Sequence, residues 1–210
     1  MDDSAFSRRP WAAWVFGLAA AGLAAAGSVV SAAEGADDKP ADKPAAQGKP
    51  YTIAEGKFKL TPPANWVAKS PKNFIIEHEF EVPAAEGDET PARVTVMGAG
   101  GSIEANIQRW RDQFTQPDGA EAKDAAKVEK KKVAGQQVHV VNLSGNYLDK
   151  APAQAKGIER ENYRMLAAII ETTQAGKKTG NYFIKLVGPA QTVGENEEGF
   201  EKMLESLSAK

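Results

Sequence analysis

Gly98, Gly100 and Gly101 fall within four positions, directly ahead of Ser102 and an apolar run with helical spacing. A strand, a glycine-rich turn and a helix N-terminus together form a common phosphate cradle, because backbone N–H groups and the helix dipole converge there. The spacing argues otherwise. A dinucleotide fingerprint needs G-x-G-x-x-G within a parallel βαβ unit. A phosphate loop needs a lysine before the serine or threonine, and Gly101 occupies that place. The simpler interpretation is a chain reversal followed by a helix cap, with incidental anion binding at the helix start as its rival.

The other residues able to do chemistry are scattered. His78 and His139 lie on apolar faces of expected strands, and Glu77 and Glu79 project away from His78. A metal would need further ligands, so histidines packed and hydrogen-bonded in the core are expected. Glu86, Asp88 and Glu89 share a hairpin tip without the spacing of an EF-hand loop. Glu195, Glu197 and Glu198 suit the positive end of a helix. Ser102, Ser144 and Ser206 lack the G-x-S-x-G pattern of a nucleophile elbow. Trp66 and Trp110 serve best as core anchors, while Arg109 and Gln113 flank an apolar helix stripe and could line a groove, a helix-surface pair being the ordinary explanation. No catalytic, cofactor-binding or metal-ligating residue is assigned, and no cofactor is expected. The chain has no cysteine, which excludes disulfides and thiolate chemistry, and a net charge of -2, which argues against nucleic acid as a partner.

The elements that position these residues begin after a long leader. Arg8 and Arg9 precede the uncharged run from Trp11 to Ala33, which ends in small residues. This is the three-part pattern of an export signal over 1–33, with cleavage near Ala33. An uncleaved anchor over 11–33 is the alternative, and "SRRPW" has some twin-arginine character. The stretch 34–52 is rich in Ala, Lys, Pro and Asp and is expected to be a disordered linker. The folded domain is expected over 53–210, facing outward from the cytoplasm, in the periplasm or secreted.

Within it, "NFIIEHEFEV" (73–82) alternates as a strand with Phe74, Ile76, His78, Phe80 and Val82 on one face. "ARVTVM" (92–97) returns beside it. Ser102 caps a helix whose stripe is Ile103, Ile107, Trp110 and Phe114, and "QPDG" (116–119) ends it. Two runs meet in a hairpin at Gly135, and "NYRMLAAIIET" pairs with "NYFIKLVG". Thr192 and Glu195 have the spacing of a capping box for a C-terminal helix that buries Phe200, Met203, Leu204 and Leu207. The later strands are apolar on both faces: Val138 and Val140 oppose Val141 and Leu143, and Met165 and Ile169 oppose Leu166 and Ile170. Such strands must be covered twice. The expected class is therefore α+β, a three-layer α/β/α sandwich around a central, mostly antiparallel sheet, with one helix on each face. The lysines of 127–132 fit a charge-protected edge strand, or less simply a contact with an anionic partner.

"PPANW" (62–66), the mid-chain helix and the C-terminal helix after "GPAQTV" (188–193) resemble the PsbP-like (Mog-type) fold. "GGSIEANIQRW", "QFTQPDG", "YRMLAAIIET" and "FIKLVGP" resemble an uncharacterised family of exported bacterial proteins, over most of 56–208. The resemblance implies an accessory role and no particular chemistry. The cysteine that lipidates some relatives is absent here. The expected function is an exported, non-catalytic accessory or binding module of the bacterial cell envelope, acting on a protein or small-molecule ligand. One alternative is an exported hydrolase whose histidine, carboxylate and serine converge from distant loops. The other is a membrane-tethered domain, with membrane contact only if the N-terminal segment is retained.

Overall fold

The computed structural model describes residues 46–116, 126–150 and 156–210. The leader, most of the linker and the turn residues 117–119 lie outside the described residues. In chain order the elements are β1 (Tyr51–Ile53), β2 (Phe58–Leu60), β3 (Val67–Lys69), β4 (His78–Val82), β5 (Ala92–Ala99), α1 (Ile103–Arg111) and β6 (Phe114–Thr115). There follow β7 (Lys127–Val133), β8 (Gln136–Asp149), β9 (Ile158–Gln174), β10 (Lys177–Pro189), α2 (Ala190–Glu195), α3 (Glu197–Glu205) and β11 (Ser208–Ala209). Tyr51 already belongs to β1 and is buried, two residues ahead of the boundary read at 53.

The main sheet has the order β3-β4-β5-β10-β9-β8-β6, with β7 also paired to β8. Its pairings among the described residues are antiparallel, so the class is α+β with a mostly antiparallel sheet. Two tight turns set its long central hairpins. Ala134 and Gly135 have φ of 48° and 78°, and Ala175 and Gly176 have 46° and 76°. Positive φ at both central residues gives the turn whose twist matches the flanking strands. A second, three-stranded sheet has the order β1-β2-β11.

The two-sided apolar pattern of the central strands resolves into two clusters. Val138, Val140, Leu166, Ala168, Ile170, Ile184 and Leu186 join the three-stranded sheet and Val193, Phe200, Met203 and Leu204 of the C-terminal helices. Val141, Leu143, Met165, Ala167, Ile169 and Phe183 join Ile107 and Trp110 of α1. Because strand side chains alternate, these are opposite faces of one sheet. β7, carrying Lys127, Lys130, Lys131 and Lys132, pairs only with β8, and Lys131 forms an ion pair with Glu201 of α3.

Two local expectations are corrected. Strand β4 starts only at His78, and Phe74 is fully exposed. The side chain of Asn73 accepts the N–H of Ile75 at 3.0 Å, and its carbonyl accepts that of Ile76 at 3.1 Å. Turn chemistry at asparagine thus overrides the apparent alternation. Nor does Thr192 cap a helix; it lies inside α2. Its hydroxyl donates to Asp88 at 2.6 Å and accepts the N–H of Ala85 at 2.9 Å, while Asp88 also accepts the N–H of Thr192 at 2.9 Å. A carboxylate from the distant hairpin tip therefore satisfies the start of α2. Gly199, within α3, faces Pro63: a Cβ there would lie 2.9 Å from the proline ring.

Candidate functional site: the groove around Lys185

One helix cannot cover this sheet. The seven strands of the main path, spaced about 4.8 Å apart, span about 29 Å, whereas a helix with its side chains is about 10–12 Å wide. One apolar cluster draws on α2, α3 and the small sheet. The other draws on α1 alone among the described helices, anchored by Trp110, whose ring meets Phe183 edge-on at 5.8 Å. A groove remains along each of its flanks.

The groove toward β5 and β10 has two lobes, of about 320 and 200 Å³, which share Thr95, Met97, Gln113 and Lys185. Lys185 sits mid-strand on β10, between Thr95 of β5 and Ala167 of β9, and its row neighbours on that face are Phe183 and Val187. It makes no ion pair with a described carboxylate. Burial, reinforced by the nearby charge of Arg93 and opposed by Asp149, pulls the Lys185 ammonium down to about 8. At neutral pH it is still mostly charged, a half-buried cation without a direct ion pair among the described residues.

The walls are consistent with an unfilled polar site. Thr95 Oγ1 and Gln113 Oε1 are buried without hydrogen-bond partners. Arg93, Lys150 and Arg160 line the larger lobe against the single carboxylate Asp149, and Arg109 lines the smaller. Arg93 spends its Nε on Glu79 at 2.8 Å. Arg109 donates to the side chain of Asn106 at 3.1 Å. Tyr147 and Tyr163 stack with centroids 6.0 Å apart, and the Tyr163 hydroxyl lies 3.2 Å from Thr90 Oγ1. Burial, with Asp149 adding and Arg93 opposing, pushes the Tyr147 phenol up to about 12, so it is a neutral hydrogen-bonding group. The arrangement offers excess positive charge and neutral hydroxyls to a small anion.

The sequence-derived candidates distribute as follows. Gly98 is the next-to-last residue of β5, Gly101 takes a φ of 92°, and Ser102 accepts the N–H of Ala105 at 3.1 Å, so the glycine run builds a strand end, a turn and a cap. Asn106 fastens that turn by donating to the carbonyls of Gly100 at 3.2 Å and Ser102 at 2.8 Å. His78 is packed beside Tyr51, with its Nε2 2.8 Å from the carbonyl of Thr52. His139 lies instead against a carboxylate, its Nε2 2.8 Å from Glu171 Oε1. Lys178, which bonds the other Glu171 oxygen, and then His139 lower the Glu171 carboxyl below its usual range. The serines take no part: Ser102 caps α1, Ser206 bonds the carbonyl of Met203, and the Ser144 carbonyl accepts from Gln116. Arg109 and Gln113, expected foremost as an ordinary helix-surface pair, both line the smaller lobe. Lys185 went unread, although it is the only charge in the run Phe183–Val187 of a strand apolar on both faces.

No protein-family model and no curated protein matches the chain. Solved structures do resemble it. The solution structure of cyanobacterial PsbP (CyanoP) from Synechocystis sp. PCC 6803 is 12% identical, covering 81% of this chain and 96% of that chain at a TM-score of 0.46. LpqN, involved in cell envelope biogenesis of Mycobacterium tuberculosis, is 10% identical, covering 76% and 88% at 0.43. The Pseudomonas aeruginosa protein PA94, of unknown function, is 12% identical, covering 79% and 98% at 0.41. Likeness at this level concerns the path of the chain, and function does not pass across it. Among the described residues no helix is long and apolar enough to cross a membrane.

Proposed function

We propose that the chain is an exported, non-catalytic binding module of the bacterial cell envelope whose groove beside α1 receives a small anion. The observation that carries the site is Lys185: a cation on a central strand, without a direct ion pair among the described residues, in a groove whose lining holds further cations and the one carboxylate Asp149. Export is supported by the positive, apolar and small-residue succession of residues 1–33. The layered arrangement, helix over sheet over helix, is supported by α1 and α3 belonging to separate apolar clusters. In that arrangement one helical layer closes a core and the other leaves room for a ligand.

Sulfate is a suitable probe because it does not titrate near neutral pH. At constant ionic strength, the wild-type protein is expected to bind sulfate about tenfold more weakly at pH 9 than at pH 7, as Lys185 loses its proton. Lys185→Met is expected to weaken binding at pH 7 by about 10- to 100-fold, the loss of a charge-assisted hydrogen bond. Equal affinity in the variant, followed by calorimetry or amide chemical shifts, would overturn the assignment.

A further inference from the structure

The opposite flank of α1 carries a second cavity, of about 550 Å³, between the helix and β7–β8. Its body is apolar: Ile103 and Ile107 of α1 face Val128 of β7. Glu104, Gln108 and Lys130 also line it, and two further lining residues each bury an unpartnered polar atom. His139 of β8 is 4% exposed, and its Nδ1 has no hydrogen-bond partner. Arg111, in the last turn of α1, buries its Nε equally unpartnered. Leaving a buried donor or acceptor unsatisfied costs about 1–3 kcal/mol, so two around one cavity call for a common partner.

We propose that this cavity is a second binding site, for a carboxylate carried on a compact apolar body such as an aromatic ring. The Arg111 Nε–H donates to the carboxylate, and Ile103, Ile107 and Val128 surround the apolar body. His139 completes the site. Its Nε2 already faces Glu171, so a proton taken up at Nδ1 places the imidazolium between two carboxylates, that of Glu171 and that of the ligand. The charges facing this ring are Glu171 of β9, Lys178 of β10 through Glu171, Lys130 of β7, and Glu104 and Arg111 of α1. Glu104 opposes an anion at the mouth, while Arg111 and Lys130 attract it. The site is independent of the Lys185 groove, since the two share no lining residue.

His78 and His139 are the only histidines in the chain, which makes the test simple. The probe is 2-naphthoate, titrated into the full-length protein while the two imidazole Cε1–H signals are followed by NMR. The His139 signal is expected to move saturably, while the His78 signal stays in place. Arg111→Ala is expected to weaken naphthoate binding at least tenfold, with Lys185→Met leaving it unchanged. Arg111→Lys, which keeps the charge but loses the Nε–H, is expected to restore only part of the affinity. An unmoved His139 signal at millimolar naphthoate would overturn the site, and so would undiminished binding in Arg111→Ala. Loss in Lys185→Met instead would place the probe in the other groove and equally overturn it.

Discussion

Lys185→Met is expected to make the protein more stable at pH 7, by about 2–3 kcal/mol, while weakening its binding of sulfate. The gain follows from linkage. The Lys185 ammonium titrates at about 8 in the folded protein against 10.5 for the ordinary group, and each unit is worth about 1.36 kcal/mol. Its residual contact with water trims the full product of about 3 kcal/mol. Between pH 8 and 10.5 the unfolded chain holds a proton that the folded protein has lost, so wild-type stability rises across that window. Below pH 8 the charged form carries the whole burial penalty. Above pH 10 the tyrosines reverse the trend, because burial raises the phenols of Tyr51, Tyr147 and Tyr182 and the folded state resists their ionisation. Urea denaturation from pH 7 to 11 should therefore give a rise and then a turnover for wild type. Lys185→Met should lack the rise and start higher. A wild-type curve flat from pH 8 to 10 would exclude the buried cation. The trade of stability for binding is the signature of a residue kept for a ligand.

Phe200→Ala is expected to cost about 3–5 kcal/mol, the range for emptying a fully buried aromatic site. Phe200 is 0% exposed and lies in the cluster formed by α3, the small sheet and the far face of the main sheet. Neighbouring Gly199 is pinned by Pro63, so collapse of the helix toward the cavity is obstructed and the cost should fall toward the upper end. Because Phe200 and Lys185 belong to opposite faces, the two effects should add in a double variant to within about 0.5 kcal/mol. Sulfate affinity measured on folded Phe200→Ala should match wild type. A smaller stability loss joined to weakened sulfate binding would show that the faces are not independent.

What the sequence disclosed and what it hid have physical causes. Val138 against Val141, and Ile169 against Ile170, are alternations within single strands, so their two-sided burial could be read from neighbouring residues. The cap at Ser102 was equally local. The start of α2 was not, because its partner Asp88 is 104 residues from Thr192 in the chain. Phe74 misled because an Asx turn and an alternating strand can share the same apolar spacing. The grooves were hidden for a different reason: they arise from one nine-residue helix lying on a sheet wider than itself, a mismatch between elements that no single segment encodes. Lys185 did leave a local trace, a single charge amid Phe183, Ile184, Leu186 and Val187. His139 resembled a core histidine because it is one, and only its proximity to Glu171 and the cavity gives it more to do.

The most direct measurement is a Cε titration of the ¹³C-labelled lysines of the full-length protein, with and without saturating sulfate. One lysine signal should titrate near pH 8, vanish in Lys185→Met and move toward the ordinary value of about 10.4 when sulfate binds. If every lysine titrates near that ordinary value, or the displaced one ignores sulfate, the groove beside α1 is not an anion receptor.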